Sequence, residues 1–186
     1  MAKNISVLHL DDQPEHASSI PREISNWFWK WFGEDMRRTA HMEENDEETE
    51  FKLNLIVGDD DFDLHYRIYT DVDLFYAALT DASKGDSSVA MVILDQTFND
   101  NAHVGGNAYR YIETNVPTML DQTIILTAYP SLTCSQLQWS ENDKRLVSKP
   151  PAPIKIIAQF LHGFLPSASP GIRLRLNRAL EEEELI

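Results

Sequence analysis

Cysteine and long apolar segments are nearly absent from this chain. Among 186 residues there is one cysteine, Cys134, which has no partner for an internal disulfide and so suits a reducing compartment. A small residue on a helix is a better interpretation of Cys134 than a reactive thiol. No stretch approaches the roughly 18 apolar residues of a membrane span, and no charged start leads into a long apolar core at the N-terminus. We therefore expect a soluble, cytoplasmic protein.

Basic residues are also scarce. The chain has 16 Lys and Arg against 30 Asp and Glu, a formal net charge of -14. Affinity for nucleic acid depends on neutralising phosphates with basic side chains, so we expect no direct nucleic-acid binding. The negative charge is more compatible with a basic or amphipathic protein partner. With 42% hydrophobic and 25% charged residues, the chain can form one domain with a full core, plus an insertion or a tail.

What the sequence does contain is a set of short apolar runs that each end in polar side chains. Such runs, separated by helix-like stretches, are typical of buried strands in a parallel sheet. Ligands bind at the carboxyl ends of these strands, so the polar side chains should gather along one edge. Three carboxylates, one hydroxyl and one ammonium there predict a site for a cation and a phosphoryl group. The runs are 5–10 before Asp11 and Asp12, 89–94 before Asp95, 123–126 before Thr127, and 145–148 before Lys149.

Helical periodicity between these runs completes the predicted fold. After Pro14, apolar residues recur at helical spacing up to the aromatic stretch 27–32. Strand and helix alternate five times, which predicts an α/β fold: a doubly wound, five-stranded parallel sheet with helices on both faces. The further predicted helices are 71–82, 107–113, 131–141 and 154–165.

The aromatic stretch 27–32 has two interpretations. A core-facing stripe is favoured, because large aromatic rings usually bury most of their surface in a core. The alternative is a docking patch for a partner, made by Trp29 and Phe32.

Residues 34–63 interrupt the alternation. Their first part is strongly acidic and poor in apolar residues, so we expect an insertion that is mobile or loosely helical. The alternating runs 51–57 and 62–68 flank a turn at 58–61 and predict a β-hairpin whose second arm is the second strand of the sheet.

Aspartates at 59, 61 and 63 in this turn resemble a calcium-binding loop in part. An EF-hand loop also requires a glycine and a glutamate at places that Leu64 and Thr70 occupy here. A solvated turn is therefore the preferred interpretation.

The C-terminal residues predict a separate segment. Residues 166–171 are rich in helix breakers, and the following stretch places Arg173, Arg175 and Arg178 before the glutamates 181–184. That charge order opposes the helix macrodipole, so a helix here would need packing or a partner. We expect a domain over 1–166, with its insertion at about 34–63, and a linker with a charged tail over 167–186.

The strand ends resemble those of the receiver domain of response regulators, the flavodoxin-like domain of two-component signalling. The resemblance covers about residues 4–33 and 64–165, and the 22-residue step from Thr127 to Lys149 matches the family. Its motifs are the acidic pair Asp11-Asp12, the strand VAMVILD ending at Asp95, TIILTAY carrying Thr127, and LVSKPP carrying Lys149.

The resemblance implies a function and a role for each residue. Asp95 would accept a phosphoryl group from a histidine kinase or phosphotransfer protein, and Lys149 and Thr127 would contact that group. Magnesium would be bound by Asp12 directly, by Asp11 through water or weaker contact, by Asp95, and by the carbonyl of Thr97. The same logic holds for the residues alone, since crowded carboxylates favour a hard divalent cation and a carboxylate can act as nucleophile toward phosphorus. Enzymatic activity beyond self-phosphorylation and autodephosphorylation is not expected, and a homodimer is compatible with this function.

Three features depart from the family pattern. Gly105 and Gly106 stand about two residues late, which lengthens the loop after Asp95, and His103 in that loop is interpreted as an exposed histidine. Leu146 occupies the place of the switch aromatic, so the coupling from Thr127 should be altered or lost. The bulky Tyr129 should shield an acyl phosphate from water and slow its hydrolysis.

Two other functions stay open at this point. One is a phosphorylation-independent interaction module that keeps the fold and docks through its acidic insertion and aromatic helix. The other is a haloacid-dehalogenase-like phosphatase, which is disfavoured because Gln96 and Thr97 stand where its second aspartate is required and Asp11-Asp12 would come in the wrong order. With only a short tail after Leu165, we expect a stand-alone receiver or a fragment of a longer protein.

Overall fold

The computed structural model describes residues 2–33, 36–44, 48–57, 60–85, 88–98, 103–140, 142–149, 151 and 153–183. Its centre is a seven-stranded sheet with the strand order β2-β3-β4-β1-β5-β6-β7. Strands β4, β1, β5, β6 and β7 run parallel, whereas β2 and β3 join the β4 edge in antiparallel pairing. The strands are β1 (Lys3–Leu10), β2 (Met36–Glu44), β3 (Glu48–Val57), β4 (Asp60–Tyr69), β5 (Ser88–Asp95), β6 (Thr123–Thr127) and β7 (Leu146–Ser148).

Helices cover both faces of the sheet, which confirms the predicted α/β class. Helices α2, α6 and α7 pack on one face and α3 and α4 on the other, each against its own cluster of buried apolar side chains. The helices are α1 (Pro14–Ala17), α2 (Ser19–Phe32), α3 (Val72–Lys84), α4 (Val104–Asn115), α5 (Pro130–Leu137), α6 (Pro153–Phe164) and α7 (Pro170–Glu182). Within this part of the chain, no helix combines the length and apolar character needed to cross a membrane.

The strand count differs from the five predicted, because the insertion contributes two strands. The hairpin of β3 and β4 is confirmed, with Val57 opposite Asp60 and Glu48 opposite Tyr69. Residues 36–44 were predicted to be mobile or loosely helical, and that prediction is wrong: each of them pairs with a residue of β3, from Val57 back to Thr49. Backbone hydrogen bonds to a neighbouring strand require no apolar pattern, so this strand has little sequence signal. Residues 34, 35 and 45–47 of the predicted acidic stretch and the turn residues 58 and 59 lie outside the described residues.

The aromatic stretch of α2 forms the core-facing stripe that its spacing predicts. Phe28 is buried and its ring lies 5.4 Å from that of Phe164 and 6.2 Å from that of Phe160. Phe32 is also buried, so it does not form a surface patch with Trp29, which is 47% exposed. Edge-to-face ring contacts of this kind stabilise the core beyond the contribution of the apolar area that they bury.

Residues beyond 167 continue into the same core. Ile172, Leu176 and Leu180 of α7 are buried in the apolar cluster that also contains α2 and α6. At the end of α7, Glu183 accepts hydrogen bonds from Lys30 and from Trp31 Nε1, the latter at 3.0 Å. This packing offsets the unfavourable charge order of the helix, as the sequence required of any helix at this position.

Two helical glycines give a matched test of how closely α6 approaches β5. A Cβ atom at Gly163 would lie 1.9 Å from the carbonyl oxygen of Ala90, whereas one at Gly171 of α7 would meet no atom within 4 Å. We expect Gly163→Ala to destabilise the fold by about 2 kcal/mol or more, because α6 must shift away from the sheet. Gly171→Ala should be neutral or slightly stabilising, because alanine is the better helix former. Denaturant unfolding of both variants measures this, and equal effects would contradict the described packing.

Candidate functional site

The carboxyl ends of the parallel strands bring the predicted polar residues to one edge of the sheet. Backbone hydrogen bonds continue the strand pairing past the strand ends and fix the relative positions of these residues. Asp11 N donates to Tyr69 O at 3.1 Å, Gln96 N to Leu126 O at 2.9 Å, and Lys149 N to Thr127 O at 2.8 Å. The clustering of distant segments that the sequence predicts is therefore present.

Three carboxylates form the centre of this edge. Asp11, Asp12 and Asp95 each offer a carboxylate oxygen, and these oxygens lie within 4.8 Å of one another. Asp11 and Asp95 are each only 3% exposed, and Asp12 is half-buried. Like charges this close and this poorly solvated repel each other, so the group could hold a metal ion.

Lys149 supplies the positive charge of the site. Its Nζ donates a hydrogen bond to Asp95 Oδ2 at 2.6 Å and lies 4.0 Å from Asp11 Oδ2. The other oxygen of Asp95, Oδ1, accepts a hydrogen bond from Thr97 N at 3.1 Å. Both oxygens of Asp95 are thus oriented by donors on the strand ends, and the Lys149 ammonium reaches two of the three carboxylates.

Burial raises the pKa values of two of these carboxylates, Asp11 and Asp95. The pKa of Asp11 is raised to about 6, mainly by desolvation and also by the charges of Asp95 and Asp12, against the lowering effects of Gln13 N and Lys149. Burial also raises the pKa of Asp95, against the lowering effect of Lys149. The carboxylate group therefore lacks compensating positive charge, which is the condition that a bound cation relieves.

Thr127 is held by its neighbours in a way that leaves its hydroxyl proton available. The side chain is buried, and its Oγ1 accepts hydrogen bonds from Tyr129 N at 2.9 Å and from Thr133 Oγ1 at 3.1 Å. Because a hydroxyl has one donor and two acceptor positions, the Thr127 O–H can still donate to a group bound at the edge. Sequence reasoning missed Thr133, a fully buried residue of α5.

The two displaced glycines seat α4 against the strand that carries Asp95. A Cβ atom at Gly105 would lie 2.7 Å from the carbonyl oxygen of Asp95, and one at Gly106 would lie 2.4 Å from the side chain of Gln136. Gln136 in turn accepts a hydrogen bond from Gln96 Nε2 at 2.7 Å. Helix α4 can approach β5 because Gly105 lacks a side chain, and Gly106 leaves space for the side chain of Gln136. Residues 99–102 of the lengthened loop lie outside the described residues, and His103 is exposed, as predicted.

The two residues predicted to modulate the site differ in exposure. Tyr129 is 59% exposed directly after the strand end that carries Thr127. Leu146, at the place of the missing aromatic, is buried on β7 opposite Ile125. Tyr129 is therefore free to cover the edge, whereas Leu146 is part of the packed interior.

Sequence reasoning also missed a buried polar pair behind the carboxylates. His9 of β1 and Tyr66 of β4 are both fully buried, and His9 Nδ1 lies 2.8 Å from the Tyr66 hydroxyl. The second ring nitrogen, Nε2, lies 3.5 Å from Asp11 Oδ2. Burial, followed by the charge of Lys149, lowers the pKa of His9 to about 3, so its ring is neutral. A polar residue inside the first apolar run was the available signal for this pair.

In comparisons with known proteins, the chain matches no protein-family model, no curated protein and no solved structure. The functional interpretation therefore depends on the residues and geometry of this edge.

The raised pKa of Asp11 predicts a pH-dependent cost in the metal-free protein. Between pH 4 and 6 the folded state binds more protons at Asp11 than the unfolded state, so stability falls as the pH rises through this window. In EDTA at pH 8, we expect Asp11→Asn to be more stable than the parent by about 1–3 kcal/mol, an advantage that disappears near pH 4. Denaturant unfolding across this range measures the difference.

The exposed carboxylate variant Glu113→Gln is the charge-matched control and should show no such pH-dependent gain. A stability difference between Asp11→Asn and the parent that is the same at pH 4 and pH 8 would contradict the assignment.

Proposed function

We propose that this protein is a receiver-like phosphoacceptor, in which Asp95 takes a phosphoryl group from a histidine kinase or phosphotransfer protein in a magnesium-dependent reaction. The observation that carries the proposal is the position of Lys149 Nζ, 2.6 Å from Asp95 Oδ2, beside carboxylate oxygens that lie within 4.8 Å of one another. An ammonium and an acidic cation site on either side of one buried carboxylate are what phosphoryl transfer to that carboxylate requires.

The strand order supports the same proposal. The parallel strands β4, β1, β5, β6 and β7 have the order 2-1-3-4-5 when numbered along the chain among themselves, which is the flavodoxin-like order. Ligands in such sheets bind where the strand order reverses, and here that point lies between β1 and β5. Asp11 and Asp95 flank it.

Each residue of the site has a separate role in the proposed chemical step. An oxygen of Asp95 attacks the phosphorus of the donor phosphohistidine, the new O–P bond forms as the N–P bond breaks, and the bonding electron pair leaves with the imidazole. Lys149 then pairs with a phosphoryl oxygen, and the Thr127 O–H donates to another. Asp11, Asp12, Asp95 and the Thr97 carbonyl would hold Mg²⁺, which would neutralise part of the negative charge of the phosphoryl group. The added negative charge changes the surface that partners recognise.

One observation favours a second candidate function. Leu146 is buried in the place where an aromatic switch residue would respond to Thr127, so a signal has no such route out of the site. A protein of this kind would act as a phosphorylation-independent interaction module. Such a module would neither bind magnesium at this edge nor take up phosphate.

Intact-mass measurement with acetyl phosphate and Mg²⁺ tests the phosphoacceptor proposal. We expect the parent to gain one phosphoryl group, Asp95→Asn to gain none, and Lys149→Met to be labelled about 100-fold more slowly, because it loses the ammonium that stabilises the transferred group. The exposed Asp73→Asn variant is the matched control and should label like the parent. Equal labelling of Asp95→Asn and the parent would show that Asp95 is not the phosphoacceptor. A parent that is not labelled and binds no Mg²⁺ would contradict the phosphoacceptor proposal and favour the interaction module.

The exposed ring of Tyr129 predicts a slow loss of the phosphoryl group. We expect Tyr129→Ala to dephosphorylate several-fold faster than the parent, because water gains access to the acyl phosphate when the ring is removed. The decay of labelled protein after removal of the phosphodonor measures the rate. Leu132→Ala removes another exposed apolar side chain of the neighbouring helix α5 and serves as control. A Tyr129→Ala rate no faster than that of the parent would contradict the shielding role.

A further inference from the structure

A histidine and a tyrosine reach the acidic site from inside the core. His9 and Tyr66 are diagonal neighbours on the adjacent strands β1 and β4, where His9 pairs with Ile68, and their side chains meet on the face covered by α2 and α6. His9 Nδ1 is paired with the Tyr66 hydroxyl, whereas Nε2 has no hydrogen-bond partner within the described residues and lies 3.5 Å from Asp11 Oδ2. A fully buried polar atom without a partner is unfavourable, so its direction toward a carboxylate calls for a reason.

The chemistry of the two neighbours decides which ring nitrogen carries the proton. A neutral imidazole has one N–H donor and one bare acceptor nitrogen. If Tyr66 O–H donates to Nδ1, the proton resides on Nε2 and faces the Asp11 carboxylate, which is favourable. In the other tautomer, the Nε2 lone pair would face an ionised carboxylate, which is repulsive whenever Asp11 ligates a cation.

We propose that His9 is a positioning residue of the metal site, whose Nε2–H donates to Asp11 Oδ2 while the Tyr66 hydroxyl holds the ring in that tautomer. The inference rests on the proposed function in one respect, that Asp11 serves a bound Mg²⁺. It adds a hydrogen-bonded chain from Tyr66 through His9 to Asp11, which the resemblance to receiver domains does not include.

The surroundings of Asp11 show what this donor would do. Asp11 Oδ1 already accepts a hydrogen bond from Gln13 N at 2.8 Å. With Nε2–H on Oδ2, each oxygen has one donor from the protein, and the plane of the carboxylate is fixed toward Asp12 and Asp95. A movement of about half an ångström brings the 3.5 Å separation to ordinary hydrogen-bond length. His9 is not part of the group whose ligand atoms lie within 4.8 Å of one another, so it acts on the ligand rather than on the metal.

Two substitutions of His9 distinguish the effect of the Nε2–H donor from the effect of losing the ring. The amide nitrogen of glutamine reaches about as far as Nε2 of histidine, whereas that of asparagine reaches only as far as Nδ1. We expect His9→Asn to weaken Mg²⁺ binding about tenfold or more, and His9→Gln to stay within about threefold of the parent, as measured by calorimetric titration. Both variants lose the ring, so a purely structural role would weaken both alike. Unfolding curves in EDTA confirm that each variant is folded before titration.

Tyr66→Phe tests the tautomer without altering the ring packing. Nitrogen-15 spectra of the imidazoles, with His9 assigned by its loss in His9→Gln, should show Nε2 protonated and Nδ1 bare in the parent. In Tyr66→Phe that preference should weaken and Mg²⁺ affinity should fall a few-fold. This variant tests the proposal independently if His9→Asn fails to fold.

The outcomes distinguish this inference from the proposed function. A parent with the proton on Nδ1, or equal Mg²⁺ affinities for the Gln and Asn variants, overturns the role of His9 and leaves phosphoryl transfer to Asp95 untouched. A parent that binds no Mg²⁺ and takes no phosphoryl group overturns both.

Discussion

The crowding of buried carboxylates at one sheet edge is the constraint on which the rest of the site depends. Asp11 and Asp95 are almost completely removed from water and share their surroundings with Asp12, so each carries a desolvation cost that Lys149 only partly offsets. A fold relieves such a cost by protonation or by a bound cation. The parallel pairing of β1, β5, β6 and β7 maintains this arrangement, because it fixes where each strand ends. The fold thus stabilises the strands and leaves their polar ends under electrostatic strain that a ligand can relieve.

Strand ends and their polar residues could be predicted from the sequence because the signal is local. A buried parallel strand appears as an apolar run, and Asp11, Asp95, Thr127 and Lys149 follow such runs directly. Parallel pairing then places those ends together without any knowledge of side-chain contacts. The hairpin of β3 and β4 was predictable for a similar reason, since alternation has a period that can be recognised in a single segment.

The remaining features depend on partners distant in sequence. Strand β2 is held by backbone pairing to β3, so its own sequence, MRRTAHMEE, does not indicate a strand. The position of α7 depends on the packing of Leu176 and Leu180 with other helices, and its own charge order argued for a tail. His9 lies inside an apolar run, and its meaning appears only when Tyr66, 57 residues away, is brought beside it. Contacts between distant segments of this kind cannot be recognised from either segment alone.

Helices approach the backbone of strand β5 closely on both faces of the sheet, at positions where each helix has a glycine. Gly163 brings α6 against Ala90 on one face, and Gly105 brings α4 against Asp95 on the other, with no space for a single methyl group at either contact. A strand packed this closely on both faces has little space in which to move. The eight-residue α5 is joined to the strand ends in a different way, through the hydroxyl of Thr133 and the amide group of Gln136. Within the described residues, the β6–α5 side is therefore connected to the carboxylates by side chains rather than by close backbone contact, one step along the sheet from Asp95.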